Sequence, residues 1–157
     1  MSKPIHYKFW TLCMVQDGDF ILLLDRQHDH FKGFIPPGGK VEFPESFTDA
    51  AIREVKEETG LDVSDLIFKG LYEYVNPVKH DRYIIFNYWT DTFIGTIKEE
   101  TREGKPVWVH KEEALHLPMQ SSIKRRFPLF FEEGTFEIQV EWDEENNKEG
   151  NVRMRRT

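Results

Sequence analysis

Residues 5–15 are rich in β-branched and aromatic side chains, Asp17-Gly18 marks a turn, and residues 20–24 form a second apolar run. That pattern predicts a β-hairpin. Residues 27–39 (QHDHFKGFIPPGG) are dense in Gly, Pro and His and predict a loop. Residues 46–59 predict a helix: Ser46 can cap it, Asp49 lies three residues on, and Gly60 stops it. Phe47, Ala51 and Val55 step by four along it and predict its core face. Strand-like runs follow at 66–74, 83–93 and 106–110, the first two separated by the turn-rich segment 76–81. Residues 111–116 predict a short helix and 121–131 a longer one. Phe136, Ile138, Val140 and Trp142 alternate cleanly, the pattern breaks at DEENNKEG, and it resumes with Val152 and Met154. We read a terminal hairpin whose outer strand carries Arg153, Arg155 and Arg156, with a frayed tail as the other reading. Many strands around few helices predict an α/β or α+β sandwich with a mixed sheet.

The length of 157 residues suits one domain, 1–157, with no repeat, linker or composition shift to divide it. No apolar run approaches the roughly 20 residues of a membrane-spanning helix, and residues 9–15 are too short and polar-broken for a signal peptide. Neither a membrane nor an export route is expected, so the expected location is the cytoplasm. Cys13 is the only cysteine and sits in an apolar stretch, where it reads as a small core residue. The formal net charge of −7 argues against a nucleic-acid polymer as partner. A small phosphorylated ligand remains compatible if a metal ion supplies positive charge.

The acidic residues of residues 39–61 (GKVEFPESFTDAAIREVKEETGL) carry the chemical information. Glu54, Glu57 and Glu58 fall at i, i+3 and i+4 and share a helical face, a spacing at which like charges repel. Arg53 can pair with Glu57 or Asp49 at four residues' distance, which leaves Glu54 and Glu58 unrelieved. Between Glu42 and Glu58, six carboxylates face Arg53 and Lys56, a local net charge of −4. Charged helix faces are commonly just solvated, but oxygen-only ligands of this kind also suit Mg²⁺ or Mn²⁺. Pro36-Pro37-Gly38-Gly39 lies just upstream, where paired glycines permit close backbone approach to a ligand.

Gly39, Glu45 and the run Arg53-Glu54-Val55-Lys56-Glu57-Glu58-Thr59-Gly60-Leu61 resemble the Nudix box at every defined position. The resemblance implies a Nudix α/β/α sandwich and a loop–helix–loop that holds Mg²⁺, with Mn²⁺ as a possible substitute. It implies cleavage of a nucleoside diphosphate linked to another group. By the same resemblance, Glu57 and Glu58 are metal ligands, Glu54 is a ligand or water-activating base, and Gly38 offers its carbonyl to the metal. Arg53 orients the glutamates, Glu45 holds the loop together, and Gly60 ends the motif. Lys40, with Gly39, is a candidate phosphate contact.

Beyond the box, Glu103 before the strand of Trp108 resembles an additional metal-binding or basic glutamate of enzymes that sanitise oxidised purine triphosphates. Glu99 and Glu100 are the fallbacks. Phe127-Pro128-Leu129-Phe130-Phe131, followed by a hairpin, is also similar to the 8-oxo-dGTP diphosphatase branch. The expected activity is therefore release of a nucleoside monophosphate and pyrophosphate from a triphosphate, by a monomer or homodimer. Residues 35–37 and 117–120 depart from the purine-reading positions of the animal enzymes of that branch. Phe31, Phe34, Trp10 and Trp89 are candidates to sandwich a base, although a place in the core is the more ordinary reading of each. Pro77 resembles a marker of the ADP-ribose diphosphatase branch, or is a turn proline after Asn76. A non-catalytic nucleotide sensor is the reading from another class, and such domains commonly lose box carboxylates that are all retained in this sequence. His28 and His30 read as exposed loop histidines.

Overall fold

The computed structural model describes residues 3–27 and 32–157. Its elements in chain order are β1 (His6–Asp17), β2 (Phe20–Arg26), β3 (Gly33–Ile35), β4 (Gly38–Lys40), α1 (Phe47–Thr59), β5 (Asp62–Ser64), β6 (Ile67–Asn76), β7 (Asp81–Thr90), β8 (Thr92–Ile94), β9 (Lys105–His110), α2 (Lys111–Ala114), α3 (Ser121–Arg126), a 3₁₀ segment (Phe127–Phe131), β10 (Phe136–Asp143) and β11 (Lys148–Arg156). The main sheet runs β11-β10-β6-β7-β1-β2-β3, with β4 also paired to β1 and β9 to β2. Two of its pairings, β1 with β7 and β10 with β6, are parallel and the rest antiparallel, so the sheet is mixed.

Alternation along β1 and β2 builds the layers. Leu12 and Met14, with Ile21 and Leu23, face Ala114 of α2, Ile123 of α3, and Phe127 and Phe130 of the 3₁₀ segment. Cys13 and Val15, with Leu22, face Ala51 and Val55 of α1. Period-2 side chains thus bury both faces of the central strands against helices on opposite sides. This is the expected sandwich of an α+β fold. Phe47, at the first position of the α1 stripe, stacks on Phe86 of β7 with ring centroids 4.0 Å apart. The terminal hairpin is formed, and Phe136, Ile138 and Val140 bury its inner face with Tyr72 and Leu129.

Four local expectations need correction. Residues 33–35 and 38–40 of the predicted loop form β3 and β4, because their backbones find ladder partners on β2 and β1. The run 83–93 divides at Asp91, where Thr90 Oγ1 turns to donate to the Ser64 carbonyl at 2.6 Å. The helix over 121–131 tightens to 3₁₀ from Phe127, beside Pro128, which has no N–H to continue α-helical bonding. Strand β5, paired with β8, was not foreseen. Among the described residues no helix is long and apolar enough to cross a membrane.

β1 and β2 pair only next to their turn, at Gln16–Ile21 and Asp17–Phe20. Beyond that point they diverge: β1 is flanked by β7 and β4, β2 by β9 and β3. Both diverging strands line the large cavity described next.

Candidate active site

Helix α1 is fixed at both ends by its own sequence. Ser46 Oγ accepts from the Asp49 amide at 3.0 Å, and Gly60, at φ 90°, donates its N–H to the Lys56 carbonyl at 3.0 Å. Ala51, Val55, Glu58 and Thr59 are its buried side, so the helical period carries Glu58 inward beside apolar neighbours. Glu57 lies on the outer side with its side chain 58% exposed, and Glu54 between them is largely covered.

Glu58 Oε2 accepts from the Gly38 amide at 3.0 Å. Cys13 N donates to Pro37 O, and Val41 N to Phe9 O, so hydrogen-bonded rungs alternate along β4 and leave Gly38 opposite Leu12 in a non-bonded pair. Its N–H is thereby free to turn to Glu58. Burial pushes the Glu58 carboxyl up to about 9; the Gly38 bond opposes this, and the charges of Glu54 and Glu103 add to it. Glu54 is also raised, chiefly by burial, against the opposing pull of Arg53. Glu58 is therefore a poorly solvated acid that also feels the charges of Glu54 and Glu103.

Arg53 organises the outer part. Its Nε and Nη2 donate to Glu45 at 3.0 and 2.7 Å, Nη1 to Glu54 at 2.9 Å and to Glu57 at 3.2 Å, and Nη2 also to the Lys40 carbonyl at 3.0 Å. Bonding from Arg53 holds Glu45 below the usual carboxylate range, and Glu45 Oε1 also accepts from the Glu42 amide at 2.8 Å. One guanidinium thus ties the loop, β4 and the helix together. It does not pair with Asp49, the alternative raised by the sequence.

The glycines are required by contact. A Cβ on Gly38 would lie 2.1 Å from the Thr11 carbonyl oxygen, and one on Gly39 would lie 2.4 Å from the Glu54 carboxylate. Glu54, Glu58 and Glu103 line a cavity of about 580 Å³ together with Gly38, Gly39 and Lys40. Glu103 also lies 3.8 Å from Arg26; Glu99 and Glu100 do not line the cavity. Among the described residues no three acidic or imidazole side chains converge as a ready metal cage. Arg53 holds Glu57 and one oxygen of Glu54 to itself.

The rest of the wall differs from expectation. Trp10 lines the cavity, but Trp89 and Phe34 do not. Phe34 packs against the Leu12–Met14 core face while its neighbours Ile35 and Pro36 reach the cavity. Trp89 also packs there and donates Nε1–H to Gln16 at 2.9 Å. Phe31, His28 and His30 lie outside the described residues. Pro77 sits in the β6–β7 turn, bordering a separate pocket of about 240 Å³. Sequence reasoning missed Tyr74, Tyr83 and Arg126, all of which line the main cavity. A signal for Arg126 was present: it lies three and four residues after the apolar or small Ile123 and Ser122, on the inward face of α3.

An acid-lined cavity behind a glycine-flanked, capped helix defines the loop–helix–loop site of a Nudix hydrolase. The NUDIX domain family model matches residues 6–130, and the chain belongs to that family. It is 32% identical over 114 residues to the Nudix hydrolase YvcI of Bacillus subtilis (strain 168), whose activity is uncharacterised, covering 69% of this chain and 70% of that one. Shorter matches link it to two proteins. One is YtkD of the same organism, provisionally named as an 8-oxo-dGTP diphosphatase: 38% identity, 50% of this chain and 45% of YtkD. The other is the ADP-ribose pyrophosphatase of Methanocaldococcus jannaschii: 42% identity, 38% and 36%. The crystal structure of the MutT protein from Bacillus halodurans superposes with a TM-score of 0.81 at 26% identity, covering 94% of this chain and 97% of that one. The chain is a MutT-like Nudix hydrolase. Such enzymes act on small nucleotide substrates and generally use divalent metals such as Mg²⁺.

Proposed function

We propose that this chain, acting as one domain over 1–157, is a Mg²⁺-dependent nucleoside triphosphate pyrophosphohydrolase. It releases a nucleoside monophosphate and pyrophosphate, with oxidised guanine nucleotides such as 8-oxo-dGTP as the preferred substrates. The observation that carries this reading is the meeting, in one cavity, of three glutamates (Glu54, Glu58, Glu103) with an aromatic wall (Trp10, Tyr74, Tyr83). One end suits a metal-bound polyphosphate and the other a base. The similarity to YtkD favours the oxidised triphosphate.

The donor set fits a hard divalent cation. It is oxygen-only and anionic, and burial pushes Glu58 and Glu54 up, a cost that a bound cation would offset. Glu57, exposed and held only through Arg53, is free to rotate in and join Glu54, Glu58, Glu103 and the Gly38 carbonyl. When bound, the metal screens the polyphosphate and lowers the pKa of the attacking water. The chain's own groups do the rest. Glu54, facing the cavity, accepts the proton of the water. Arg53 holds Glu54 and Glu57 in place, and Lys40 and the Gly39 backbone meet the phosphates. Phosphorus substitution then depends on alignment and charge stabilisation.

The test is a substrate panel with Mg²⁺, and with Mn²⁺ in parallel: 8-oxo-dGTP, 8-oxo-GTP, dGTP, other triphosphates, ADP-ribose and dinucleoside polyphosphates. Triphosphates, led by 8-oxo-dGTP, are expected to be cleaved to monophosphate and pyrophosphate. The second reading, ADP-ribose hydrolysis, is favoured by the Methanocaldococcus jannaschii similarity. A tenfold preference for ADP-ribose over every triphosphate establishes it instead. Tight nucleotide binding with no turnover of any substrate would identify a sensor.

A further inference from the structure

Arg126 is the last residue of α3 and is only 2% exposed, yet it lines the cavity. Nη1 donates to Asn87 Oδ1 at 2.9 Å, and the guanidinium carbon lies 4.4 Å from the centroid of the Tyr72 ring. Its Nε has no hydrogen-bond partner, and no carboxylate pairs with it among the described residues. Arg125, its neighbour, shows the contrast: it bonds to the Tyr72 hydroxyl and forms an ion pair with Glu149 at 2.8 Å. Burying a cation without a counter-charge is costly, and buried charges are normally paired. Burial does pull Arg126 down to about 10, which still leaves it protonated at neutral pH.

Asn87 fixes how the guanidinium is presented. It is fully buried, and its Nδ2 donates to the carbonyls of Gly70 and Ile85 at 3.1 and 3.0 Å. Those two acceptors set the amide orientation and leave Oδ1 for Arg126. Asn87 lies opposite Leu12, and Leu12 opposite Gly38, on adjacent strands. Two strand spacings therefore separate it from the box, roughly 10 Å. That is about the reach from a nucleotide's phosphate to the far edge of its base. The intervening wall is apolar and aromatic, with Leu12, Ile85, Trp10 and Tyr83, and suits a planar ring better than a second anionic group.

Resting on the triphosphate reading above, we propose that Arg126 is a specificity-determining residue that reads the acceptor edge of a keto-purine at the inner end of the cavity. A guanidinium has donors only. Guanine and 8-oxoguanine both present O6 as an acceptor to the guanidinium, N7 being a second acceptor in guanine and carrying a hydrogen in 8-oxoguanine, whereas adenine places an amino donor at position 6. The discrimination is thus by one guanidinium donor left facing the adenine amino group as much as by an added bond to O6.

The experiment measures binding of dGMP and dAMP in Mg²⁺ by calorimetry, together with kcat/KM for dGTP and dATP, on the wild-type chain and on Arg126→Met and Arg126→Lys. Wild type is expected to favour dGMP at least tenfold. Arg126→Met is expected to weaken dGMP by roughly ten- to hundredfold, leave dAMP within about twofold, and abolish the preference in both assays. Arg126→Lys keeps the charge without the fork and is expected to lose most of the preference, which keeps the test open if the methionine variant does not fold. Equal wild-type binding of the two monophosphates overturns the proposal. So does an equal loss for both in either variant, which would mark Arg126 as a general electrostatic or structural group. Selective dGMP binding without triphosphate turnover would remove the proposed reaction and leave this role standing; equal turnover of dGTP and dATP would do the reverse.

Discussion

Arg126 lines the cavity and Arg53 stands behind one of its lining acids, Glu54, and the two have opposite surroundings. Arg53 has the carboxylates of Glu45, Glu54 and Glu57 within 3.2 Å, whereas Arg126 has one neutral amide and the face of a ring. Around Arg53 negative charge is in excess, and in the proposed reaction this region receives a cation. Around Arg126 positive charge is unanswered among the described residues, and in the proposed role this region receives acceptors. A nucleotide carrying a metal ion on its phosphates and a keto edge on its base supplies both deficits at once. The difference also separates what a mutation should do at each end: rate at the box end, selectivity at the inner end.

The largest effect is expected from Glu58→Gln. The glutamine can still accept from Gly38, so the fold is retained, but an anionic oxygen is lost where the metal is to be held. Several kcal/mol of transition-state stabilisation, on the order of a thousandfold in kcat, should disappear. The metal-free variant should melt above wild type, because the buried acid is relieved of its desolvation and of repulsion from Glu54 and Glu103. Wild-type turnover in a folded Glu58→Gln, measured beside its melting curve, would falsify the metal-site assignment. Glu57→Gln should lose activity comparably without the gain in melting temperature, since Glu57 is exposed.

The two box glycines give an intermediate effect that separates geometry from stability. Gly39→Ala drives a methyl into the Glu54 carboxylate, which can swing aside, so kcat should fall roughly a hundredfold with little change in melting temperature. Gly38→Ala meets the backbone of Thr11 and Leu12, which cannot move cheaply, and should cost about 1–3 kcal/mol of stability as well. Identical melting temperatures for the two variants would contradict the packing described for β4.

The box end was legible in the sequence because its determinants are local. Ser46, Gly60 and the i, i+3, i+4 glutamates lie within fifteen residues of one another, and helical periodicity alone brings the acids to one face. Glu103 was found by resemblance rather than by physics. The inner end was opaque for the opposite reason. Arg125 and Arg126 are adjacent and chemically identical, and what separates them is Glu149 and Asn87, 24 and 39 residues away. The three-residue strands β3 and β4 were hidden too, since their Gly and Pro content signals a loop and only pairing with distant strands makes them extended. Phe34 packs on the core and not in the cavity wall, because side-chain direction in a short strand follows a register that composition does not reveal.

The smallest expected effect is also the sharpest comparison of the two ends. Arg53→Met should lower stability by about 1–3 kcal/mol, because Glu45, Glu54 and Glu57 lose their common partner and the loop loses its tie to Lys40; partial exposure limits the loss. Arg126→Met removes a buried unpaired cation, a gain, but orphans Asn87 Oδ1 and the Tyr72 ring contact, a loss of similar size. The two should nearly cancel, leaving stability within about 1 kcal/mol of wild type. Denaturant midpoints at matched m-values measure both. If Arg126→Met proved as destabilising as Arg53→Met, its charge would be engaged by the fold itself, and the contrast between a saturated and an unanswered arginine would not hold.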